Sequence, residues 1–77
     1  MDVSAVRGLI REYVSKPGNS VGGSLHIVIE DGNTEQEFIR FCRQWALDRE
    51  DSDGVRLADV LLSMTMAERA SALGFSE

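Results

Sequence analysis

The sequence predicts a mainly α fold: a small bundle of three longer helices and one short helix, with one short strand or extended segment at about residues 25–30. Three observations carry that expectation. Apolar residues recur at steps of three and four near the start, in the middle and towards the end of the chain, which is the spacing of one helical face. Two segments, Thr34–Glu37 and Thr65–Glu68, have the form of capping boxes that open helices. Ahead of both, only Leu25–Glu30 alternates, with Leu25, Ile27 and Ile29 on one side and His26, Val28 and Glu30 on the other, and its β-branched content favours a strand.

The first helix is read from Val3, Val6, Leu9, Ile10, Tyr13 and Val14, with Asp2 or Ser4 as its cap and Glu12 and Lys16 in the favourable i,i+4 order. Gly8 inside it costs about 1 kcal/mol relative to alanine, so either another element approaches closely there or the helix is marginal alone. Lys16-Pro17-Gly18-Asn19 stops it. Pro17–Ser24 holds the only proline and three of the seven glycines, which marks a loop. It is either a turn between two elements or a set of exposed backbone N–H groups, with the Asn19 amide, offered to a ligand.

As a strand, Leu25–Glu30 has no second strand in the chain to pair with, and its backbone groups need partners. A copy in a second subunit would supply them, which predicts a homodimer. The alternative is a short helix capped by Ser24 and ending at Gly32, with His26 and Glu30 one turn apart. After the turn Asp31-Gly32-Asn33, the next helix places Phe38, Phe41, Cys42, Trp45 and Ala46 on a buried stripe that Ile39 broadens. Holding three of the five aromatic residues, it is expected to be the most central element. Asp48–Gly54 is an acidic connection, and Ser52 or Asp53 caps a third helix carrying Val55, Ala58, Leu61 and Leu62 with Leu57 at its edge. The short last helix runs from the Thr65 box to Leu73, with Gly74 as its stop.

The chain reads as one domain of 77 residues with a net charge of −5 and 43% apolar types. A domain of this size buries only about 60% of the surface its unfolded chain exposes. A single cysteine and a single histidine leave it without a disulfide or a structural zinc site, so partner chains are the expected supplement. No apolar run approaches the ~18 residues of a membrane span, and the acidic start Met1-Asp2-Val3 is unlike a signal peptide. With one free thiol, this points to the cytoplasm. The pI of about 4.7 and the absence of a basic cluster disfavour direct duplex nucleic-acid binding.

For catalysis, His26, Glu30, Asp31, Glu35 and Cys42 lie close in sequence, but Cys42 falls on the apolar stripe, where a thiol behaves as a small hydrophobe. No catalytic residue is assigned. Asp51-Ser52-Asp53-Gly54 resembles the middle of a calcium loop, yet the register puts Arg49 at the first ligand position and Val60 at the twelfth. No metal and no cofactor are expected. Nine of the thirteen acids lie between Glu30 and Asp59, which invites a nucleic-acid mimic. They are interleaved with Arg40, Arg43, Arg49 and Arg56, however, as on a solvated helix surface. Asp48, Glu50, Asp51 and Asp53 are the candidate protein interface.

Pro17-Gly18-Asn19, then Gly22-Gly23-Ser24-Leu25-His26-Ile27-Val28-Ile29-Glu30-Asp31-Gly32-Asn33 and Phe41-Cys42, resemble small proteins encoded by bacteriophages and prophages, and the likeness extends loosely to Leu57–Arg69. The resemblance implies a mobile-element origin and a functional loop region around Asn19, Gly22, Gly23, His26, Asp31 and Asn33. By analogy it implies a non-enzymatic accessory protein that, in the cytoplasm of an infected host, binds and inhibits a host protein such as an antiviral CRISPR-like nuclease component. The acidic face and the Gly-rich loop would make that contact. The alternative is a small-molecule or nucleotide-sequestering protein, with Asn19, the glycine amides, His26 and Asn33 lining a pocket.

Overall fold

Five helices follow one another in a computed structural model that describes residues 2–15, 25–31 and 35–73. They are α1 (Val3–Ser15), α2 (His26–Asp31), α3 (Gln36–Asp48), α4 (Ser52–Leu62) and α5 (Met66–Leu73). No strand occurs among the described residues. α3 and α4 form the most extensive helix pair, α1 packs against α5 and α4, and α2 rests on α3. The core at their centre is built from Val6, Ile10, Tyr13, Leu25, Val28, Ile39, Cys42, Leu57, Ala58, Leu61, Met64 and Ala72.

The strand expected at residues 25–30 is corrected to helix α2. Leu25 and Val28 are fully buried and Ile29 partly so, a spacing of three and four, and the Ile29 N–H donates to the Leu25 carbonyl at 3.1 Å. A helix satisfies part of its own backbone within a few residues, whereas a lone strand would leave its donors and acceptors unpaired. The strand-paired homodimer loses its basis with the strand. Tyr13 fixes the start of α2 from α1: its hydroxyl accepts from the Leu25 N–H at 3.2 Å and donates to Asp51 Oδ2 at 2.8 Å.

The buried stripe of α3 also differs from the expected one. Ile39, Cys42 and Ala46 are buried, while Phe38 and Trp45 are half-buried and Phe41 is 64% exposed. The observed face is the expected aromatic row 38, 41, 45 displaced by one residue, which on an α-helix is about 100° of rotation. Small side chains explain the choice: Cys42 and Ala46 on α3 and the buried Ala58 on α4 let the two helices approach, and the bulky rings turn to the flank. Arg43 on α3 pairs with Asp59 on α4 along the outside of that contact.

The helix ends follow local chemistry. Thr34, expected to cap α3, lies outside the described residues, and Glu35 occupies the N-cap position with extended backbone. At the other end of α3 the Asp51 N–H donates to the Ala46 carbonyl at 2.8 Å and the Glu50 N–H to the Leu47 carbonyl at 3.2 Å. This is a Schellman closure, which places Glu50 in the left-handed region with φ 57°. Asp51, not Ser52 or Asp53, caps α4, its Oδ1 accepting from the Gly54 N–H at 3.1 Å. The Thr65–Glu68 box forms at α5: Thr65 N–H donates to Glu68 Oε1 at 2.8 Å and Glu68 N–H to Thr65 Oγ1 at 3.2 Å. The Thr65 backbone N–H, and after it the Thr65 hydroxyl, hold the Glu68 carboxyl below the usual carboxylate range. Their stabilisation is present above the unfolded-state pKa and is lost as pH falls through the depressed folded value. Arg7 joins α1 to α5, donating from Nε at 3.1 Å and Nη2 at 2.6 Å to the Ser71 carbonyl.

Two backbone positions carry avoidable cost. No atom lies within 4 Å of where a Cβ on Gly8 would stand, so no close approach explains the glycine inside α1. Glu50 is a non-glycine residue in a left-handed conformation at the negative end of the α3 dipole. Gly8→Ala and Glu50→Gly are each expected to raise the unfolding free energy by about 0.5–1 kcal/mol. Urea denaturation of both single variants and the double checks this. Additive gains are expected, and a loss of stability in either single variant would contradict the backbone described at that position.

Candidate functional site

Of the six residues expected to line a ligand site, Asn19, Gly22, Gly23, Asn33 and the side chain of Asp31 lie outside the described residues. His26 is described at the start of α2, where its Nε2 stands 3.1 Å from Glu30 Oε2, one turn on along the same face. This is the geometry of the helical alternative for the segment. The imidazole is about three-quarters buried, and its buried Nδ1 finds no hydrogen-bond partner among the described residues. Cys42 is fully buried in the core, and burial pushes its thiol pKa up. At neutral pH it is therefore a protonated packing group, without the thiolate that nucleophilic chemistry needs. Among the described residues no three or more His, Cys, Asp or Glu side chains gather closely enough to hold a metal ion.

The four acids expected to form one interface do four different things. Asp51 is structural, bound by the Gly54 N–H and the Tyr13 hydroxyl. Asp53 is half-buried and borders a hollow of about 90 Å³ between α1 and α4 that also touches Leu9, Tyr13 and Leu57. Glu50 stands exposed on the Schellman turn. Asp48, also exposed, accepts from Gln44 Nε2 at 3.1 Å, one turn back on α3.

Asp48 leads to a surface that the periodicity reading missed. Phe41, Gln44, Trp45 and Asp48 line a shallow concavity of about 290 Å³ on the flank of α3, a row at steps of three, one and three. The Arg49 guanidinium lies 5.5 Å from the centroid of the Trp45 ring, within cation–π range. Around the end of α3 a second hollow of about 220 Å³ is lined by Ala46, Leu47, Glu50, Asp51, Ser52 and Val55, and Leu47 is exposed beside it. The signal for this surface was present in the sequence as the pairing of each large ring with a smaller residue one position later, Phe41 with Cys42 and Trp45 with Ala46.

No family model, curated protein or solved structure matches the chain. The phage origin and the anti-CRISPR type of role that the sequence resemblance implied are therefore withdrawn, as is the homodimer that rested on an unpaired strand. Among the described residues no helix is long and apolar enough to cross a membrane.

Proposed function

We propose that this chain is a non-enzymatic protein-binding domain whose contact surface is the aromatic flank of α3, with Asp48 and Glu50 at its edge. The observation that carries the reading is Phe41, 64% exposed, lining one concavity with Trp45, whose ring lies under the Arg49 guanidinium. Single exposed apolar residues are ordinary on protein surfaces. A phenyl ring, an indole and a stacked guanidinium together are the side chains in which binding energy concentrates at interfaces. Cys42, buried and with its thiol pKa raised, supplies no nucleophile.

The test is capture from lysate of the cells that naturally make the chain, read by native mass spectrometry, with wild type, Phe41→Asp and His26→Ala as baits. A retained protein should lose at least tenfold in affinity, about 1.4 kcal/mol, in Phe41→Asp and keep it in His26→Ala. A retained small molecule that His26→Ala abolishes and Phe41→Asp spares would replace this reading with the ligand-sequestering alternative. A retained protein indifferent to Phe41→Asp would also overturn it.

A further inference from the structure

Arg69 is the one charged residue buried among those described, at 5% exposure. It sits on the inner face of α5 together with Ala72, and α5 packs against α1. Its backbone is satisfied, the N–H donating to the Thr65 carbonyl at 2.9 Å. Its side chain is not: Nε and Nη1 are both buried without a hydrogen-bond partner among the described residues. Other arginines in the fold show what satisfaction looks like. Arg7, in the same seam, gives two N–H groups to the Ser71 carbonyl, Arg43 pairs with Asp59, and Arg49 lies over Trp45. The most deeply buried guanidinium is thus the one left open.

A guanidinium cannot relieve this by releasing a proton, and a buried unpaired cation is strongly unfavourable. The nearest carboxylate in sequence, Glu68, is already committed to the Thr65 N–H. A buried water would accept from the open donors but leave the charge uncompensated, and Arg7 brings a second positive charge to the seam. An oxyanion compensates the charge and takes one of the two open donors bidentately together with Nη2, along the Nε–Nη2 or the Nη1–Nη2 edge of the planar guanidinium, which leaves only one donor for a water. We propose that Arg69 is an oxyanion-binding group, closed by a phosphate or carboxylate that seats in the α1–α5 seam and holds α5 in place.

The proposal is independent of the α3 surface. It is tested by replacing chloride with millimolar phosphate or acetate at constant ionic strength. The readouts are the Arg69 Nε–H resonance in ¹⁵N-labelled protein and hydrogen exchange across α5. At least one anion should shift that resonance saturably and slow α5 exchange at least tenfold, through its preference for the docked state. Which anion acts distinguishes a phosphate from a carboxylate ligand. Arg69→Met, which keeps much of the side-chain length and removes the charge, should lose the response and show slower α5 exchange in chloride than wild type does. A wild-type resonance unmoved by both anions overturns the proposal, and needs no folded variant to do so. So does an exchange response of equal size in Arg69→Met, which would be a general salt effect.

Discussion

Leu61→Ala is expected to lower the unfolding free energy by about 2–5 kcal/mol. Leu61 is among the largest fully buried side chains, on the α4 face that carries Leu57 and Ala58. A core in a domain of this size supplies no more than roughly 3–5 kcal/mol of net stability, so the variant should be largely unfolded at room temperature. Far-UV circular dichroism with urea titration reads this directly. Phe41→Ala is the matched control: it removes a larger side chain, but from an exposed site, where substitutions stay within about 0.5 kcal/mol. Reading the aromatic row of α3 as core reverses that order. Equal losses in the two variants would therefore show α3 turned towards its rings.

The second large effect is expected from Tyr13→Phe, which removes one oxygen and should cost about 1–3 kcal/mol. That hydroxyl links three elements, since it lies on α1 and meets the buried Leu25 N–H ahead of α2 and the Asp51 carboxylate that caps α4. Without it the Leu25 donor stays buried and loses its acceptor. Hydrogen exchange at Leu25 and in α2 should accelerate beyond what the global loss of stability accounts for. A thermal midpoint unchanged within error would show that the hydroxyl does not hold these contacts in solution.

What was legible in the chain and what was not divides along local and long-range chemistry. The Thr65–Glu68 box could be read because both partners lie within four residues, and α1 because it has one dominant apolar stripe. On α4 the helix was legible but its face was turned, since Leu57, read as the edge, is buried with Gly54, Ala58 and Leu61 while Val55 and Leu62 are half-buried. Residues 25–30 satisfied two periods at once. Leu25, Ile27 and Ile29 fit a strand, Leu25, Val28 and Ile29 fit a helix, and the contact that anchors the segment comes from Tyr13, twelve residues away. On α3 two rows one residue apart were both apolar, and the choice between them rests on how α3 packs against α4, with small buried residues on both helices, Cys42 and Ala46 on one and Ala58 on the other. Asp51 and Asp48 look alike in sequence, yet one is a cap bound to a tyrosine and the other a surface acid beside Trp45. Of the Gly-rich loop, Asn19, Gly22 and Gly23 lie outside the described residues.

The Arg7–Ser71 contact has a consequence for how the chain assembles. It joins positions 64 apart, whereas the Arg43–Asp59 pair across α3 and α4 spans 16. That fourfold difference in loop length is two doublings, or about 1.2 kcal/mol of additional closure entropy. Contacts between α3 and α4 are therefore cheaper to nucleate, and the α1–α5 seam closes against the larger entropic barrier. During synthesis the seam cannot form until α5 has left the ribosome, so α1 waits for its last covering helix.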